Sequence, residues 1–270
     1  MTITEIQKQT LTQKLLGRNY KWWYAVLYSF KLSYEYRINI LIAIVRFFIP
    51  VVVTFSLLNL TSSNKSFSSY ILIASIFYQF YAFVIGPSFD ITNNVIKGDL
   101  SRFLLYPTGY LSFLITKILG FNFLTLMIRI LVLFLSTWIL GISVNFLSFF
   151  WALPFVIITV IIGFFIEVIV GSLVFFQHSL NKNFIPFYTD LMPFLSGSLI
   201  AFTASPSLKF LEYLPFAYFA HYPMQIYLGK YSALEVVYVF GGGIAWCIIL
   251  YYLAKWVFRM GLKKNEAVGL

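Results

Sequence analysis

The 270 residues carry 60% apolar and only 10% charged side chains, against roughly 25% charged in a soluble domain, which excludes an ordinary soluble fold and indicates a polytopic membrane protein. A net charge of +10 would suggest nucleic acid in a soluble chain, but here the basic residues stand at the ends of apolar runs and read as topology signals, with no nucleic-acid partner expected. The single cysteine, Cys247, lies inside an apolar run, so neither an intrachain disulfide nor a cysteine-based metal cluster can form.

The first 20 residues are polar and contain Lys8, Lys14 and Arg18 but no apolar core before a small-residue cleavage site. No cleavable signal peptide is read, and the N-terminus is expected in the cytoplasm. Residues 20–37 place Lys21, Tyr24, Tyr28, Lys31 and Glu35 on one helical stripe and Trp23, Val26, Leu27, Phe30 and Tyr34 on another. A helix lying along the cytoplasmic membrane surface fits this pattern, and so do the first turns of the following span. Residues 38–60 are apolar and about as long as the ~20 residues needed to cross a bilayer. A polar external loop at 61–69 follows, and 70–89 return the chain to the cytoplasm.

Residues 96–107, IKGDLSRFLLYP, interrupt the apolar sequence. On a helix Ile96, Leu100, Phe103 and Leu104 share one face, while Lys97, Asp99 and Arg102 point elsewhere. Pro107 stops that helix. A short amphipathic helix at the water side suits docking by another protein; an ordinary interfacial turn between two spans has the same pattern.

Residues 111–140 are apolar for longer than one crossing needs, with Lys117 near the start, able to snorkel, and Arg129 deep inside. Residues 151–176 cross back and carry Glu167. The fifth crossing, 185–204, contains Pro186, Asp190, Pro193 and Gly197 and is expected as a broken helix. Six crossings place twelve Lys and Arg in the cytoplasm against Lys65, Lys209 and Lys230 outside, so both termini are expected inside. Residues 205–234 are too polar to span and too aromatic for a free loop, and are expected to dip back into the outer leaflet as an external gate, with Pro215, Tyr222, Pro223, Gly229 and Lys230 in it. In the last span, 235–257, Gly241-Gly242-Gly243 provides either close helix approach or a bend.

Candidate chemistry is sparse. No GxxxxGK[ST] phosphate loop occurs, so ATP is not expected to bind this chain through one. His178 and His221 fall in loops on opposite sides, which argues against a metal site, and Ser198 lacks a histidine base. Arg46, Arg129 and Glu167 are the intramembrane charges, each costing roughly 2.5 to 3.5 kcal/mol near the bilayer centre. Depth favours Arg129 with Glu167 as a pair, either lining a substrate route or fixing helix register.

The order of elements resembles the type-2 exporter permeases of the ATP-binding-cassette (ABC) superfamily. IKGDLSRFLLYPTG at 96–109 is similar to that family's basic-Gly-acidic-Leu stretch ending in Leu-x-Pro, and LPFAYFAHYPMQIYLGKYSALE at 214–235 is similar to the Pro-rich segment of the branch whose permeases often work in pairs. The resemblance implies an all-α polytopic membrane protein with six transmembrane helices, a cytoplasmic N-terminal amphipathic helix, a coupling helix between spans 2 and 3 and a re-entrant external segment before span 6. The expected division is a cytoplasmic segment 1–37, a permease domain 38–258 and a basic tail 259–270. The resemblance further implies that Ile96, Gly98, Asp99, Leu100, Arg102, Phe103, Leu104, Leu105 and Pro107 contact a separate ATPase, which holds the ATP and Mg, while this chain binds no cofactor and is not itself an enzyme. The expected role is efflux of hydrophobic or amphiphilic compounds such as drugs or antibiotics across the plasma (bacterial inner) membrane, with a second permease, identical or related, completing the transporter. Export of a lipid-linked glycan or peptide is the same-class alternative; a membrane-embedded enzyme or a non-transporting assembly subunit are the alternatives of other classes.

Overall fold

The computed structural model describes residues 65–101, 109–139, 146–177, 180–202 and 206–268, with residues 26–31 and single helical positions between 38 and 56. Its elements are α1 (Lys65–Ala82), α2 (Pro87–Ile96), α3 (Tyr110–Ile139), α4 (Phe146–Ser172), α5 (Leu180–Leu195), α6 (His221–Tyr227) and α7 (Ala233–Val268), with 3-10 turns at Leu173–Phe175, Pro206–Tyr213 and Pro215–Phe219. Among the described residues every regular element is helical, as a lipid environment demands of backbone that cannot turn to water.

Three stretches, Tyr70–Ile96, Phe150–Phe175 and Ala233–Lys264, are long and apolar enough to cross a membrane, and α3 makes a fourth if its two arms, bent by 52° between Gly120 and Thr125, form one span. The expected first crossing falls largely outside the described residues. Over the fifth crossing, expected as a broken helix at 185–204, α5 covers 16 residues ending at Leu195 and closes in a turn where Gly197 N–H donates to Phe194 O and Ser198 N–H to Pro193 O, the paired bonds of a Schellman stop.

The centre of the bundle is α4, apolar around its whole circumference and packed against α7, α2, α6 and α1. At one end it buries Phe155 and Ile158 beside Tyr218 and Phe219; at the other, Phe164 and Val168 sit with Val84, Ile91, Leu114 and Phe258. Glycines in α4 and α7 set how closely the neighbours approach. A Cβ on Gly171 would lie 2.8 Å from the Ser88 Cα, and one on Gly243 would lie 2.9 Å from the Tyr218 ring and 3.0 Å from Ile158. Gly242 and Gly243 therefore serve close packing rather than bending, Gly241 faces open space, and α7 runs unbroken for 36 residues. Residues 26–31 lie against the bend of α3, where the backbone of Val26 and the side chain of Ser29 fill the space above Gly120 and Phe30 meets Phe123 edge-on at 6.0 Å.

Candidate coupling turn, polar layer and gate

Pro87 opens α2 at its first position, where a missing N–H costs nothing. The helix ends at Ile96, because Gly98 takes φ +73° and turns its N–H back to Val95 O at 3.1 Å. The expected short amphipathic helix therefore does not run on from Ile96: helix resumes at Leu100 and Ser101. Ile96 is 50% exposed and Leu100 only 3%, so the two do not share a face. Leu100 inserts among Val95, Tyr110, Leu114 and Phe258, while Lys97, Gly98 and Asp99 stand exposed above it. Arg102, Phe103, Leu104, Leu105 and Pro107 lie outside the described residues. Two polar contacts fix α2 to the first arm of α3: Lys117 Nζ reaches both oxygens of Asp90 at 2.8 Å, and Asn94 Nδ2 donates to the Tyr110 hydroxyl at 2.9 Å.

Between α1 and α2 the second crossing is broken, which strands backbone groups inside the bundle. Glu167 of α4 supplies the acceptors. Its Oε2 takes the Ser88 hydroxyl at 2.6 Å and the N–H groups of Gly86 and Ser88 at 3.4 Å, and its Oε1 takes the Tyr81 hydroxyl at 3.1 Å. Tyr81 and Tyr188 of α5 share a further bond at 2.6 Å. On the opposite side of the break Asn122, inside the bend of α3, donates to Phe83 O at 3.0 Å. The two interruptions thus lie side by side and are joined through side chains. Gly163 and Gly171, one turn to either side of Glu167, bring α4 close enough to Tyr81 and Ser88 for this.

The expected pair of Arg129 with Glu167 does not form among the described residues. The helix break takes up the Glu167 carboxylate, whereas Arg129 is 8% exposed with Nη1 meeting no acceptor. Arg46 lies outside the described residues.

At the other end of the bundle the segment 206–230 folds over α1, α4 and α7 in two 3-10 turns and the short helix α6. Pro215 and Pro223 are buried, Tyr222 is half-buried with its hydroxyl donating to Glu212 O at 2.8 Å, and Gly229 and Lys230 are exposed. Gly229 (φ +68°) ends α6, with the Lys230 N–H returning to Gln225 O. That turn sets the Lys230 ammonium 5.2 Å from the centre of the Tyr70 ring. His221 is buried; its Nδ1 bonds the Tyr70 hydroxyl at 3.2 Å and its Nε2 lies 3.7 Å from Glu212. Burial, with the Lys230 charge adding to it, pushes the His221 pKa down to about 4, and burial raises that of Glu212. Tyr218 ties the segment to α7 by donating to Val239 O at 2.9 Å.

The sequence reading missed the helix break, its cap and the role of Asn122. One signal was present: Gly163, Glu167 and Gly171 recur at intervals of four, a small-residue stripe with a carboxylate at its centre. Two apolar grooves flank the exposed Ile157 and Ile161 of α4, one of ≈ 560 Å³ towards α7 and one of ≈ 430 Å³ towards α3. Among the described residues no His, Cys, Asp and Glu group is arranged to hold a metal.

Comparison with known proteins adds one finding. Residues 40–269 match the family described as ABC-2 family transporter protein. No curated protein and no solved structure matches the chain. With most of its length matched and its apolar helices assembled into a bundle suited to a bilayer, the chain belongs to the ABC-2 family of transporter membrane proteins.

Proposed function

We propose that this chain is the permease subunit of an ATP-driven exporter that moves hydrophobic or amphiphilic compounds, drugs or antibiotics among them, out of the cell across the plasma membrane. A separate ATPase docks at 96–107, carries the ATP and Mg, and closes on nucleotide to push this permease and a second, identical or related one. Six crossings with both termini in the cytoplasm complete the arrangement. The observation that carries the reading is the Lys97-Gly98-Asp99 turn. It is exposed and charged, rests on buried Leu100, and is held to α3 by the Asp90–Lys117 and Asn94–Tyr110 contacts. A push on such a turn moves a braced lever rather than a loose loop. The lever ends at the break capped by Glu167, beyond which α1 leads to Tyr70, bonded to His221 of the segment 206–230.

The test is recovery of the tagged chain from its native membrane in mild detergent, with bound subunits identified and ATP hydrolysis assayed. Leu100 is buried, so a charge there would disturb packing, and the exposed positions are reversed in charge instead, Lys97→Glu with Asp99→Lys. Wild type is expected to bring down an ATPase that this variant loses while keeping its own thermal stability. Absence of any nucleotide-binding subunit, under conditions that preserve other membrane complexes, would overturn the reading.

A further inference from the structure

The chain has nine carboxylates, and the described structure spends none on Arg129. Asp90 holds Lys117, Glu167 caps the helix break, Glu212 lies beside His221, and Glu235 accepts from Ser232. Asp99 is in the exposed turn after α2, Glu266 is near the end of α7, and Asp190 is on α5, whose main packing partners are α2, α4 and the 3-10 turns. The stretches outside the described residues add only Glu5 and Glu35, both ahead of the first apolar run. Arg129 is nevertheless buried, with Nη1 unpartnered among the described residues. A buried charge without a counter-charge among the described residues is costly, and a ligand acceptor would offset that cost.

The surroundings indicate its chemistry. Ile115, Ile118, Asn122, Thr125 and Arg129 succeed one another on α3 at steps of three or four and form one stripe. Ile115 and Ile118 line the ≈ 430 Å³ apolar groove. Asn122 donates to Phe83 O, and Thr125 donates to Asn122 O at 2.7 Å, which leaves Arg129 Nη1 as the stripe's buried donor without an acceptor among the described residues. From Ile118 to Arg129, across the 52° bend of α3, the separation is at most roughly 16 Å, a distance that a long alkyl chain bridges. We infer that Arg129 receives the anionic head, a phosphate or carboxylate, of an amphiphile whose alkyl part lies along the groove between α3 and α4. A guanidinium presents two parallel N–H donors to such a head, as an ammonium cannot. Calling this amphiphile cargo rests on the exporter reading; its binding does not, and is measured without any ATPase.

The experiment follows thermal unfolding of the purified full chain in neutral maltoside detergent with dodecyl phosphate, zwitterionic dodecylphosphocholine or inorganic phosphate added. It compares wild type with Arg129→Gln, Arg129→Lys and the exposed-charge control Lys209→Gln. Dodecyl phosphate is expected to raise the midpoint of wild type and Lys209→Gln by several degrees, that of Arg129→Lys less, and that of Arg129→Gln not at all. Dodecylphosphocholine and inorganic phosphate are expected to have little effect. Without added anion, Arg129→Gln is expected to be at least as stable as wild type, since it removes an unpaired charge. An equal dodecyl phosphate shift in Arg129→Gln would overturn the inference as a net-charge effect. The full shift from inorganic phosphate alone would overturn it in favour of a free-anion site. Loss of stability in Arg129→Gln without any anion would overturn it by showing that a protein acceptor, in this chain or a second copy, already holds the guanidinium.

Discussion

Glu167 is a carboxylate used as a helix cap: it takes up N–H and hydroxyl donors that a broken span would otherwise leave dry. Replacing it with Ala strands the N–H groups of Gly86 and Ser88 and the hydroxyl of Ser88, a loss of about 2–4 kcal/mol if each donor costs about 1 kcal/mol. Glu167→Gln keeps one acceptor oxygen and is expected to lose about half as much. Thermal or denaturant unfolding in detergent reads both, and an alanine variant as stable as wild type would remove the cap from the account. His221 makes a second prediction, in pH. Its folded pKa of about 4 lies below the unfolded value near 6.5, so the unfolded chain binds the extra proton, and stability is full above pH 6.5 and falls as pH drops towards 4. The loss is at most about 3 kcal/mol. Glu212, raised by burial, acts in the opposite sense at the acid end of that window, and Lys230 and Tyr70 are the other polar neighbours. Protection of residues 206–227 against hydrogen exchange, after division by the intrinsic exchange rate at each pH, is expected to fall between pH 6.5 and 4 in wild type and to lose that dependence in His221→Gln.

At the scale of elements, the helix pairs were less legible than the helices. Apolar runs and Pro and Gly punctuation mark where most elements lie, and the aromatic segment before the last span is present as two 3-10 turns and α6. Three things escaped the sequence for a shared reason, since each depends on what a distant residue offers. The second crossing reads as continuous until Glu167 and Asn122, 81 and 39 positions from the groups they satisfy, are seen to hold the break open. Arg129 and Glu167 look complementary by depth alone because depth says nothing of azimuth. Ile96 and Leu100 share a helical face only if Gly98 is helical, and its φ of +73° separates them. Packing of α2 on α4 is testable at Gly171, where a Cβ would meet the Ser88 backbone at 2.8 Å. Gly171→Ala gains helix propensity yet must push the capped end of α2 aside, so a net loss of about 1–3 kcal/mol is expected. Gly241→Ala, with open space around it, is the matched control and is expected to be neutral or slightly stabilising.

Over the whole molecule the two ends of the bundle differ in charge, and that difference bears on orientation. The end carrying the Lys97-Gly98-Asp99 turn also holds the last turns of α7, where Phe258 packs on Tyr110 and Phe175 and Lys264 reaches Phe176 O. Lys97, Lys117, Arg259, Lys263 and Lys264 gather there, opposed by Lys209 and Lys230 at the end covered by residues 206–230. Translocation tends to retain the more basic loops on the cytoplasmic side, so the exporter reading expects the Lys97-Gly98-Asp99 turn to face the compartment where ATP is available and the His221 segment to face out. Long α7, with Val237, Tyr238, Ile248, Tyr252 and Trp256 exposed along it, then presents an apolar flank to lipid or to a second permease. Orientation can be read directly by placing single cysteines at the exposed positions Lys263 and Lys230 in a Cys247→Ala background. A membrane-impermeant maleimide is expected to label Lys230→Cys in intact cells and Lys263→Cys only after permeabilisation. The reverse pattern would put the turn on the side without nucleotide and end the coupling reading, whatever the strength of the contacts that brace it.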